Sequence, residues 1–98
     1  MMNLSEKQVD SIKTYFRDKP ITKAYLFGSY ARGEANDNSD IDLLIALDPE
    51  IPVGLEFAQF KIDLVKLLAS DVDLITTKGV SKYLKPLIDK DKIMLYER

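Results

Sequence analysis

Two aspartates separated by one residue, Asp40 and Asp42, are the side chains of this chain best placed to do chemistry. They stand at the start of an apolar run, 43–47, that we expect to be a β-strand. Because successive strand side chains alternate between faces, both carboxylates are predicted on one face. Like charges at that distance raise each other's pKa unless a cation lies between them, so the pair is suited to bind Mg²⁺. The structural alternative is that Asp40 caps a turn and Asp42 pairs with a lysine or arginine.

Gly28 and Ser29 follow directly after an expected strand and form the second candidate element. Glycine lets the backbone approach a ligand closely, and a serine hydroxyl with neighbouring N–H groups can bind phosphate oxygens. The alternative is a turn without function, because Gly-Ser follows many strands.

A third acid, Asp73, lies in the next expected strand. Sequential strands are neighbours about two-thirds of the time, so Asp73 is expected to join the acid pair. Three carboxylates in a chain that has no histidine and no cysteine form the oxygen-only ligand set that suits Mg²⁺ or Mn²⁺. Two such ions could assist transfer at a triphosphate.

The composition limits the partners of the chain. Its 98 residues predict one domain, 1–98, and its 14 basic against 16 acidic residues give a net charge of -2. The basic residues are scattered, which argues against a long nucleic acid as the main ligand and favours a nucleotide or a protein. The longest apolar run is far shorter than the roughly 20 residues that span a bilayer, so we expect no membrane segment. The first ten residues, MMNLSEKQVD, lack the basic-then-apolar pattern of a signal peptide, so we expect a cytoplasmic location.

Helices and strands are expected to alternate along the chain. Ser5 and Gln8 predict a capping box at the start of a first helix that ends before Pro20. A helix over 79–90 must have Pro86 near its start or be kinked. Strands are expected at 22–27, 40–47, 72–76 and 93–96, and a long helix at 55–69. This order predicts an α/β (α+β) fold in which helices flank a small mixed sheet of three to four strands.

Two strings in this order, GSYARGEANDNSDIDLLI at 28–45 and VDLI at 72–75, resemble the polymerase-beta-like nucleotidyltransferases. Within that superfamily they are most similar to the stand-alone minimal nucleotidyltransferases, and the resemblance runs from about Ala24 to Tyr96. The resemblance implies that Gly28 and Ser29 hold the triphosphate. It implies that Asp40 and Asp42 bind two Mg²⁺ (or Mn²⁺) ions. It further implies that Asp73 binds the catalytic ion and helps to deprotonate the acceptor hydroxyl.

The resemblance also implies a reaction and a partner. A nucleoside monophosphate, with AMP from ATP as our prediction, would pass from a nucleoside triphosphate to a hydroxyl, releasing pyrophosphate. Many minimal members are antitoxins of HEPN-domain RNase toxins, and some modify a tyrosine of the toxin with AMP. Two alternatives stay open: a non-catalytic module that binds the nucleotide or occludes a toxin, and a hydrolase that uses water as acceptor. Homo-oligomerisation also stays open.

Arg32 lies within the motif and has two interpretations of equal weight. It can neutralise phosphate charge or face a partner, or it can be a structural arginine paired with Glu34 or Asp37.

Overall fold

The computed structural model describes residues 2–98, and helices and strands alternate along them as the sequence predicted. The helices are α1 (Glu6–Arg17), α2 (Ser29–Arg32), α3 (Glu56–Leu68) and α4 (Lys85–Asp91), and the strands are β1 (Ile21–Phe27), β2 (Ile41–Leu47), β3 (Val72–Thr76) and β4 (Ile93–Glu97). Within the described range, no helix is both long enough and apolar enough to cross a membrane.

The strands form one mixed sheet in the order β3-β2-β1-β4. β2 and β3 run parallel, whereas β1 is antiparallel to both of its neighbours, β2 and β4. The predicted fold class, a small mixed sheet of three to four strands flanked by helices, is therefore confirmed.

The two faces of the sheet are covered differently. Ile41, Leu43 and Ile45 of β2 point to the main core, which also contains the buried apolar residues of α1 and α3. Leu44 points to the other face, where it packs in a small cluster with Phe27 and with Ile88 of α4. By the alternation of strand side chains, Asp42 shares the α4 face with Leu44.

The first helix begins where the capping box predicted. The Ser5 hydroxyl accepts the Gln8 N–H at 3.1 Å, and the Gln8 side chain accepts the Ser5 N–H at 3.0 Å. Farther along, the Tyr15 hydroxyl donates to Asp63 Oδ2 at 2.6 Å and so joins α1 to α3. The Tyr15–Asp63 bond thus ties together the two helices that cover the main core face of the sheet.

The predicted helix at 79–90 starts too early, because α4 begins only at Lys85. Side chains hold the preceding segment in turns: the Gly79 N–H donates to Thr76 Oγ1, and the Leu84 N–H donates to Ser81 Oγ, both at 3.1 Å. Pro86 lies in the first turn of α4, where its missing N–H costs no intrahelical bond, as the sequence required.

The strand predicted from residue 40 also begins one residue later than predicted, at Ile41, which leaves Asp40 just outside β2.

Candidate active site

Asp42 and Asp73 lie side by side in the sheet. They are the second residues of β2 and β3 and are Cα partners in the parallel ladder, so their side chains leave the same face. Asp42 is half-buried and Asp73 is exposed. The prediction that the strand containing Asp73 neighbours the strand containing Asp42 is confirmed.

Gly28 is in direct contact with Asp42, on the side of β2 that pairs with β1. It follows Phe27, the antiparallel partner of Asp42, and has a φ of 76°. A Cβ at this position would overlap the Asp42 carboxylate and lie 3.1 Å from its Cγ. Only glycine provides both this backbone conformation and the space for Asp42.

The helix α2 begins immediately after Gly28, with Ser29 as its first residue. The Gly28 carbonyl accepts the N–H groups of Ala31 and Arg32 at 3.0 and 3.1 Å. The first N–H groups of a helix have no acceptor within the helix, and here they accompany the Ser29 hydroxyl. Such groups can bind a phosphate oxygen, as the sequence predicted for this turn.

The electrostatics of Asp42 show that the acids act on one another. Burial raises the pKa of Asp42 to about 6, with further raising by the charges of Asp73 and Asp40, while the Arg32 charge opposes the effect. Asp40 itself is exposed in the loop that enters β2. Three carboxylates and one arginine therefore share the same electrostatic neighbourhood.

The chemistry of this donor set fits a hard cation. Its ligand atoms are all carboxylate oxygens, which hard cations prefer. The pKa of Asp42 is raised because the charge of Arg32 does not offset the burial of the carboxylate and the charges of Asp73 and Asp40, and a bound cation would supply the missing positive charge. A surface depression of about 520 Å³ beside Asp40 is also lined by Asp37 and Asp71, and by Val65 near the end of α3, the helix that covers the face of the sheet opposite Asp42. Among residues 2–98, no three acidic side chains already converge closely enough to hold an ion.

Arg32, the last residue of α2, makes two ion pairs. Its Nε donates to Glu34 Oε1 at 2.9 Å, one of the two pairings that the sequence suggested, and its Nη1 donates to Asp91 Oδ2 at 2.6 Å. Asp91 was missed by the sequence analysis because it lies 59 residues away and no local pattern marks it. Arg32 is thus both a structural arginine and a positive charge felt by Asp42.

Sequence comparisons place this arrangement among known proteins. Residues 10–98 match the family described as polymerase beta, nucleotidyltransferase. A protein adenylyltransferase MntA of Thermococcus cleftensis is 35% identical over 80 residues, which cover 76% of this chain and 80% of the relative. A Methanocaldococcus jannaschii protein, provisionally named a protein adenylyltransferase, is 40% identical over 87 residues, covering 83% and 84% of the two chains.

Solved structures show the same fold. A chain in the crystal structure of a toxin-antitoxin with AMP-PNP is 27% identical, with a TM-score of 0.78 over 92% of this chain and 73% of that one. A chain in the complex of a tri-AMPylated Shewanella oneidensis HEPN toxin with an MNT antitoxin is 24% identical, with a TM-score of 0.71 over 93% and 71%, a likeness of fold alone. With the match across residues 10–98, these findings show that the chain belongs to the polymerase beta nucleotidyltransferase family.

Proposed function

We propose that this chain is a protein adenylyltransferase that transfers AMP from ATP to a hydroxyl group of a partner protein. The observation that carries the proposal is the pairing of Asp42 with Asp73 directly beside the side-chain-free Gly28. Family membership supports the reaction class, and the names of the curated relatives support AMP as the transferred group.

Asp40, Asp42 and Asp73 would hold Mg²⁺, in the two-ion arrangement that the sequence suggested. Asp42 is fixed beside Gly28, whereas the exposed Asp40 and Asp73 can adjust their rotamers to complete the ligand set. When bound, Mg²⁺ would offset the negative charge of the triphosphate and stabilise the charge that develops during phosphoryl transfer.

The chain's own groups have separate tasks in this reaction. Gly28 and Ser29 bind triphosphate oxygens at the start of α2. The acceptor oxygen forms a bond to the α-phosphorus while the bond from the α-phosphorus to the bridging oxygen breaks, and pyrophosphate leaves. Asp73 receives the proton of the acceptor hydroxyl, because it is exposed on the same face as Asp42.

We further propose that the acceptor is a tyrosine of a HEPN-domain RNase toxin, which makes the chain the antitoxin of a toxin-antitoxin pair. One structural relative at 27% identity is a toxin-antitoxin bound to AMP-PNP, an ATP analogue. The motif GSYARGEANDNSDID, at residues 28–42, supports the same assignment through its resemblance to minimal nucleotidyltransferases.

The reaction is tested with ATP labelled at the α-phosphate or at the γ-phosphate, incubated with Mg²⁺, the purified protein and a native lysate. We expect α-label on one protein band, lost in Asp42→Asn, and no γ-label that depends on Asp42, because kinases of the lysate transfer the γ-phosphate whichever variant is added. Asp37→Asn is the matched control, because Asp37 is an exposed acid of the loop before β2 and does not act on the Asp42 carboxyl. Label from the γ-phosphate that disappears in Asp42→Asn, or α-label that survives Asp42→Asn, would contradict the proposal.

A cell assay separates modification from simple occlusion of a toxin. If the chain neutralises its toxin by adenylylation, Asp42→Asn should bind the toxin and yet fail to restore growth. Full neutralisation by Asp42→Asn would instead favour the non-catalytic binding module.

A further inference from the structure

We infer that Asp91 is a positioning residue that holds the Arg32 guanidinium in place for binding ATP. The inference rests on the proposed function only in taking ATP as the ligand. Asp91 is the last residue of α4, and its Oδ2 accepts Arg32 Nη1 at 2.6 Å. The Asp91 side chain is only 17% exposed, whereas Glu34, the other partner of Arg32, is 66% exposed. Because solvent weakens exposed pairs, Asp91 contributes more than Glu34 to the position of Arg32.

The two ion pairs leave one side of the guanidinium available. Glu34 accepts from Nε and Asp91 from Nη1, while Nη2 makes no hydrogen bond to any residue of the described range, 2–98. A guanidinium is planar, with its donors in a fixed fork, so bonds to two of its nitrogens also fix the direction of the third. Nη2 is therefore a pre-oriented donor.

Arg32 lies close to the proposed site. Arg32 ends the same short helix that Ser29 begins, and the Arg32 charge acts on the carboxyl of Asp42. An anionic group bound between Ser29 and Asp42 would thus meet a positive charge already held in position. Charge-assisted bonds of this kind are the form in which arginine binds phosphate.

Without Asp91, Arg32 would be held by Glu34 alone. The side chains of Arg32, at the end of α2, and of Glu34, two residues after it, are both exposed, so the long arginine side chain would sample several rotamers. Arg32 would then lose conformational freedom only when ATP binds, and we expect this entropy cost to lower the affinity for ATP. A purely structural pair between α2 and α4 would change stability and leave ATP affinity unchanged.

A double-mutant cycle distinguishes these cases. The dissociation constant for ATP in Mg²⁺ is measured by calorimetry for wild type, Arg32→Gln, Asp91→Ala and the double variant, and thermal unfolding is measured for each. Asp89→Ala is the matched control, because Asp89 lies on the same helix but pairs with Lys85 and Lys92. Asp91→Glu tests rescue by the conservative change.

We expect Asp91→Ala to weaken ATP binding up to about tenfold, which is the upper end of the cost of ordering one long side chain on binding. The double variant should be no weaker than Arg32→Gln, Asp91→Glu should recover part of the loss, and Asp89→Ala should bind ATP as the wild type does. Unchanged affinity in Asp91→Ala, or the same loss in the Arg32→Gln background, would overturn the inference.

The binding cycle also separates this inference from the proposed function. A wild-type protein that binds ATP but labels no acceptor would refute adenylyl transfer, and the cycle would still decide the role of Asp91. A wild-type protein that does not bind ATP would refute both.

Discussion

Gly28 and Asp42 are in such close contact that a methyl group on the glycine would occupy the space of the aspartate carboxylate. The contact arises because β1 ends at Phe27, the antiparallel partner of Asp42, and the chain then turns with a positive φ at Gly28. Because Gly28 has no side chain, the proposed phosphate-binding turn packs directly against Asp42.

Replacing Gly28 by alanine should damage both folding and activity. The backbone at Gly28, with φ 76° and ψ -157°, is essentially accessible to glycine only, and such a conformation costs of order 1 to 3 kcal/mol for other residues. The added Cβ must also displace Asp42. We expect a lower free energy of unfolding in urea titrations and no measurable AMP transfer.

Gly54→Ala is the control for this substitution, because a Cβ at Gly54 has no neighbour within 4 Å. It should leave stability and transfer near those of the wild type. Equal effects of the two substitutions would show that the contact between Gly28 and Asp42 is not the cause.

The substitution Asp42→Asn should stabilise the metal-free protein while it removes activity. Burial and two neighbouring acids disfavour the ionised form of Asp42, so a neutral side chain of the same shape relieves that cost. Because solvent screens a half-buried carboxylate, we expect a gain of about 1 kcal/mol, or a few degrees in Tm, in the presence of a chelator. A lower Tm for Asp42→Asn would mean that the carboxylate supports the fold.

The difference in stability between wild type and Asp42→Asn should depend on pH. The folded-state pKa of Asp42, about 6, lies above its ordinary value of 3.8, so the stabilising effect of protonation is fully present below about pH 4 and is lost as the pH rises through 6. The advantage of Asp42→Asn should therefore be full above about pH 7 and vanish near pH 4. Thermal unfolding of both proteins in chelator from pH 4 to pH 8 measures this, and a constant difference would contradict it.

The hydrogen bond from Tyr15 to Asp63 should contribute to stability and not to chemistry. It joins α1 to α3 on the face of the sheet opposite Asp42 and Asp73. The substitution Tyr15→Phe removes only the hydroxyl. We expect Tm to fall by about 2 to 5 °C with unchanged AMP transfer. Tyr83→Phe, at a position 78% exposed, should change neither quantity.

Much of this arrangement could be predicted from local sequence. The capping box of Ser5 and Gln8 involves residues three positions apart, and the adjacency of Asp42 and Asp73 follows from the tendency of sequential strands to pair. Strand bounds were close because β-branched and apolar runs end at Gly28 and at Asp48, where the chain turns. Patterns of short range were therefore sufficient for the strands and for the adjacency of Asp42 and Asp73, but not for the strand order or for the place of Asp40 outside β2.

Other features depend on contacts that no local pattern contains. The late start of α4 results from turns in which Thr76 and Ser81 accept backbone N–H groups, and these side chains compete with a helix that propensity alone would begin earlier. The pairing of Arg32 with Asp91 joins two helix ends 59 residues apart. Metal ligation and the identity of the acceptor stay predictions.

The most direct test of adenylyl transfer is the intact mass of the acceptor protein after incubation with ATP, Mg²⁺ and this chain, followed by mapping of the modified residue. The wild type should add a whole number of AMP groups to a tyrosine of the acceptor, and Asp42→Asn should add none. An acceptor of unchanged mass, under conditions in which the wild type binds both it and ATP, would contradict the account.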